Sequence, residues 1–165
     1  MNERLHYSSG NLTIIFSFYI AAVLQVLPLP EAAMMGRPMF LAMLVVFWVL
    51  ALPARFGVFM GFCVGVFSDV LLNNIIGVNG LAYALLAYLT LASYKRLRVQ
   101  NPLQQSAVVF LLLGIAQYCA YLLKIFLGQN TVSPMLTLLP VLASAIFWRP
   151  VLLLLRWLQL RFGVR

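Results

Sequence analysis

Between Phe56 and Leu72 the chain reads FGVFMGFCVGVFSDVLL, an apolar run in which Gly57, Gly61, Gly65 and Asp69 recur at every fourth position. A helix turns about 100° per residue, so this spacing sets all four on one stripe that drifts by about 40° per step. Glycines along such a stripe let a second backbone come close, the small-xxx-small device by which helices associate in lipid. Asp69 ends the stripe. An ionisable group in an apolar segment is expensive unless it is partnered, and it marks a candidate functional site. The run is expected to be the organising helix of a small polytopic membrane protein.

Composition extends that reading to the whole chain. The 165 residues are 64% hydrophobic and 8% charged, with a mean hydropathy of +1.02, against about 45–50% apolar and about 25% charged in soluble domains. A chain of this kind divides into spans of about 20 residues. Its net charge of +8 sets eleven Lys and Arg against Glu3, Glu31 and Asp69. The cations stand at the ends of apolar runs, with no basic face interleaved with aromatics, so they read as topology signals and headgroup contacts and not as a nucleic-acid footprint.

The spacing predicts six spans in one domain covering residues 1–165: about 12–29, 39–52, 56–72, 75–93, 106–127 and 135–155, followed by an amphipathic basic tail over 156–165. A polar leader, Met1 to Asn11, precedes the first span, which carries a small and polar face of Ser17, Ala21 and Gln25. The second span is thin, at about 21 Å. Pro53 to Arg55 should fold it into a hairpin with the third, and the Gly80 and Ala84 face of the fourth span is placed to meet the glycine stripe. Pro140 and Pro150 predict kinks in the sixth. With both termini inside, Arg55, Lys95, Arg96, Arg98, Arg156 and Arg161 collect on the cytoplasmic side, as topology and headgroup residues.

That orientation carries Asp69 toward the outer leaflet, where Lys124 and Arg37 are candidate partners at similar depth. Gln117, Tyr121 and Lys124 share a face of the fifth span at i, i+4, i+7. One reading is a buried polar cluster of Gln25, Asp69, Gln117, Tyr121 and Lys124. The other is a hydrated Asp69 with Lys124 snorkelling outward. The glycine face has two readings as well: packing within the bundle, or binding of a partner.

Enzyme chemistry has little to build on. Only Asp69 is a carboxylate deep in a span, so a paired-aspartate protease lacks its second group. His6 lies in the polar leader, so no span offers a general base of that kind or a histidine-based metal site. Cys63 and Cys119 fall within apolar runs without CxxC spacing and read as packing residues. The expectation is a protein that is not an enzyme and has neither cofactor nor metal.

Over Leu24 to Leu89 the chain resembles the rod shape-determining MreD family of Gram-negative bacteria. The resemblance is carried by LQVLPLP (Leu24–Pro30), Arg37-Pro38, FWVLALPARFGV (Phe47–Val58), GFCVGVFSDVLL (Gly61–Leu72) and IIGVNGLAYALLAYL (Ile75–Leu89). Beyond Ser93 it rests on hydropathy and the basic tail. It implies a non-enzymatic inner-membrane scaffold of the bacterial cell-elongation complex. MreC would be its direct partner, with MreB filaments, RodA and a class B penicillin-binding transpeptidase as complex members, and membrane lipids around it. The family is also distantly similar to the six-span substrate-binding subunits of energy-coupling-factor vitamin transporters, so the alternative is a vitamin-binding membrane subunit of a transporter.

Overall fold

The computed structural model describes residues 3–28, 36–99, 101–129 and 133–161. Every regular element among them is helical. They are α1 (Glu3–Val26), α2 (Phe40–Ala51), α3 (Val58–Leu71), α4 (Val78–Ala92), α5 (Tyr94–Val99), α6 (Pro102–Phe126), α7 (Pro134–Thr137) and α8 (Leu139–Arg161). The stretches Leu103–Phe126 and Met135–Arg161 are long and apolar enough to cross a membrane, while Thr13–Val26, α2, α3 and α4 are shorter apolar helices.

The centre of the bundle is α2, not the glycine-striped helix expected to organise it. Its sequence, FLAMLVVFWVLA, is apolar on every side, and Leu41 through Val49 are buried without interruption. A helix with no polar face can be packed all round. Helices α1, α3, α4, α6 and α8 all touch it, as does the short α5. Trp48 anchors one side: its ring meets Phe47 edge-on at 5.2 Å and lies over Phe56 at 6.0 Å. Its indole N–H donates to Ser17 Oγ on α1 at 3.1 Å. Ser17, Ala21 and Gln25, the small and polar face read from the sequence, are the side of α1 turned inward.

Glycine positions explain the closest pair, α3 against α4. A Cβ built on Gly61 would fall 2.6 Å from the Tyr83 carbonyl oxygen and 2.8 Å from the Ala87 Cβ. One built on Gly65 would collide with the Asn79 carbonyl. Both contacts are closer than atoms tolerate, so these two positions admit only glycine at this separation. Gly80 answers from the other side, beneath Val66 and Phe62. Gly57 takes no part, since it is the N-cap of α3 with nothing near its missing side chain. On α4, Ala87 and the backbone of Tyr83 make the approach, and Ala84 is only half-buried.

Other boundaries differ from those read in the sequence. Much of the expected polar leader is helical, because α1 begins at Glu3. The sixth span breaks at Leu138, between α7 and α8. Pro140 then sits in the first turn of α8, where no N–H is required of it, and the helix continues through Pro150. The basic tail is no separate element. α8 runs on to Arg161 with Leu155 buried, and residues 162–165 lie outside the described chain. Cys63 is exposed on α3 rather than packed.

Candidate functional site

Asp69 is fully buried, and its partner is not a cation but the start of the next helix. The Gly77 N–H donates to Oδ2 at 2.9 Å and the Gly80 N–H at 3.2 Å, while the Asn79 N–H lies 3.0 and 3.1 Å from the two carboxylate oxygens. These are among the N–H groups that any helix leaves unbonded in its first turn. A carboxylate there accepts them and meets the positive end of the helix dipole. Gly77 permits the geometry, since it stands at φ +102°, a region that a side chain disfavours.

The same residue helps to close α3. The Asn74 N–H donates to the Asp69 carbonyl at 2.9 Å and the Asn73 N–H to the Val70 carbonyl at 3.4 Å, with Asn73 in the left-handed region at φ 52°. This is a Schellman cap with asparagine in the usual glycine position. Asp69 thus caps one helix with its backbone and the next with its side chain.

Gln25 does comparable work at the start of α2. Its Oε1 accepts the Phe40 N–H at 3.0 Å, and Ser144 of α8 accepts the Met39 N–H at 2.7 Å. α2 has no side-chain cap of its own. Arg37, weighed above as a partner for Asp69, instead donates to the Gln25 and Leu27 carbonyls and so closes the C-terminal end of α1.

The five residues read as one polar cluster do not all meet, although Asp69 and Lys124 are joined through Asn74. Gln25 and Asp69 cap two different helices. Lys124 donates to the side chain of Asn74 at 3.2 Å, the residue whose N–H bonds the Asp69 carbonyl. Gln117 and Tyr121 line a cavity of about 210 Å³ with Tyr118, Met135, Thr137 and Leu138.

Sequence reasoning did not find the receiving groups: Gly77 and Asn79 for Asp69, Ser144 for α2, and Asn74 for Lys124. Gly77, eight residues after Asp69, was the one local signal. Of the basic residues, Lys95, Arg156 and Arg161 are exposed, as is Arg55 in the turn after α2. Lys95, Arg96 and Arg98 lie on α5, a short helix where a loop was expected.

Comparisons with known proteins identify relatives of this chain. The family model for rod shape-determining protein MreD matches residues 7–158, from α1 nearly to the end of α8. The rod shape-determining protein MreD of Haemophilus influenzae is 30% identical over 144 residues, covering 87% of this chain and 88% of its own. No solved structure matches. That family comprises shape-determining structural proteins, not enzymes. On a match spanning nearly every helix, the chain belongs to the MreD family of rod shape-determining membrane proteins.

Proposed function

We propose that this chain is a six-span inner-membrane scaffold of the cell-elongation complex, a single domain with both termini in the cytoplasm. In this role it binds MreC and helps to couple cytoplasmic MreB filaments to the peptidoglycan synthesis carried out by RodA and a class B penicillin-binding transpeptidase. The observation that carries the reading is an apolar exterior over an interior in which Asp69, Gln25 and Ser144 bond the starts of buried helices. Phe16, Phe59, Tyr88, Leu111 and Ile146 are exposed on five different helices, whereas α2 exposes no large apolar residue. Soluble monomers rarely show apolar surface on this scale.

Length is the obstacle, and the capping lessens it. α2, α3 and α4 have 12, 14 and 15 residues, or about 18–23 Å of helix against an apolar core about 30 Å thick. Their turns must then lie at some depth, where irregular backbone is tolerated only when buried and bonded. The Asp69, Gln25 and Ser144 caps bond part of that backbone. Asp69 is in this reading what lets a short hairpin sit in lipid.

The competing reading is a vitamin-binding subunit with its ligand beside Gln117 and Tyr121. A cavity of about 210 Å³ there falls below the lower end of small-molecule pockets, about 300 Å³, which favours the scaffold. Depletion followed by imaging of cell shape, with co-purification of MreC, tests the two. Rounded cells and recovered MreC are expected. Rod-shaped cells with defective vitamin uptake would overturn the proposal.

A further inference from the structure

At the end of the bundle where α2 and α8 finish and α6 begins lies a cavity of about 250 Å³. Phe47 and Leu50 of α2 form its apolar floor, and Tyr94 of α5, Gln105 of α6, and Arg156 and Gln159 of α8 bring polar side chains to it. Four elements, α2, α5, α6 and α8, build it. Gln105 is 4% exposed, so its amide is held in place by the fold. No acidic side chain lines the space. The chain has little acid to offer: Glu3, Glu31 and Asp69 are its only carboxylic side chains, and Asp69 is committed to the start of α4. Among the described residues, then, no carboxylate stands beside the Arg156 guanidinium in the cavity, in a protein of net charge +8.

We propose that this cavity binds the phosphate group of an anionic phospholipid, an inference that rests on the membrane reading above. Arg156 supplies the fixed charge and the forked donor geometry that suits phosphate oxygens. Gln105 supplies a neutral hydrogen-bonding group beside it, with Tyr94 and Gln159 bordering the same space. The start of α6, a helix of 25 residues, adds the positive end of its dipole at the same rim. The neighbouring surface suits acyl chains, with Leu103 on α6 and Leu153, Trp157 and Leu160 on α8 all exposed. A soluble phosphate would gain nothing from that apolar border; a lipid would.

The test uses the full chain purified in mild detergent and titrated with phosphatidylglycerol, with phosphatidylcholine or with inorganic phosphate, and bound lipid is counted by native mass spectrometry. One phosphatidylglycerol is expected to remain bound in preference to phosphatidylcholine. Arg156→Gln should weaken its retention about tenfold, the scale of losing one charge-assisted pair, and Gln105→Met should weaken it less. Arg161→Gln, outside the cavity, should leave retention within about twofold, the behaviour of an exposed charge. Equal loss in Arg156→Gln and Arg161→Gln would overturn the site in favour of diffuse surface attraction. Displacement of the lipid by millimolar inorganic phosphate would overturn lipid as its ligand. Carbonate extraction of the starting membranes reports on the membrane reading separately, since a chain released by carbonate defeats that reading whatever the lipid counts show.

Discussion

Asp69 shows how a charge can be housed in an apolar segment without a counter-ion. Three backbone N–H groups converge on it, and together they do what the sequence assigned to Lys124. Asp69→Ala should leave those donors buried and unbonded and destabilise the protein by about 3 kcal/mol, whereas Asp69→Asn, which keeps one acceptor oxygen, should cost about 1–2 kcal/mol. Lys124→Met, which breaks a single bond to Asn74, should cost less than about 1 kcal/mol. Unfolding of the detergent-solubilised variants provides these values. In a double-mutant cycle the Asp69–Lys124 coupling, carried only through Asn74, should stay at about 0.5 kcal/mol, the lower end for connected residues. A coupling of several times that would restore the ion pair.

Among the elements, the α3–α4 hairpin depends on two glycines out of the four small positions from which it was read. Gly65→Ala and Gly61→Ala place a methyl group against the backbone of α4 and should each cost about 1–3 kcal/mol or more, the range for overpacking. Gly57→Ala meets nothing and should change stability by no more than about 0.5 kcal/mol, as at other open positions. Thermal unfolding of the three variants should give Gly65 and Gly61 well below wild type and Gly57 beside it. A uniform loss across all three would point to helix flexibility instead of contact. The stripe was legible as a stripe because spacing is a property of one helix. Which of its members touch a neighbour depends on where α4 crosses, and only the packing shows that.

For the whole molecule, the proposed arrangement places the α3–α4 and α6–α7 turns on one side of the membrane and the turn after α2, the α5 helix and the end of α8 on the other. In a version of the chain with Cys63 and Cys119 replaced by alanine, single cysteines at Asn73 and Gln129 should react with a membrane-impermeant maleimide added outside intact spheroplasts. Cysteines at Ala54 and Lys95 should react only after lysis. Labelling of Lys95→Cys from outside would reverse the orientation or change the number of crossings. The organising helix is settled at this scale too. α3 had the distinctive pattern, yet α2, plain and short, is the one that every long helix touches.

The sequence by itself determined that the chain is helical and apolar, that the inner face of α1 is Ser17, Ala21 and Gln25, that α3 and α4 meet along small residues, and to which family the chain is similar. These follow from composition, from the 3.6-residue period and from contiguous motifs, which are all local properties. The tertiary structure decided the rest: α2 at the centre, Asp69 on the backbone of α4, Gln25 and Ser144 on the start of α2, Arg37 on the end of α1, and the Arg156 cavity. The reason is physical. A helix end needs its N–H or C=O groups satisfied, but any side chain of suitable chemistry can do it. Here the groups come from other helices, eight to 105 residues away in sequence, and only the packed bundle brings them within reach.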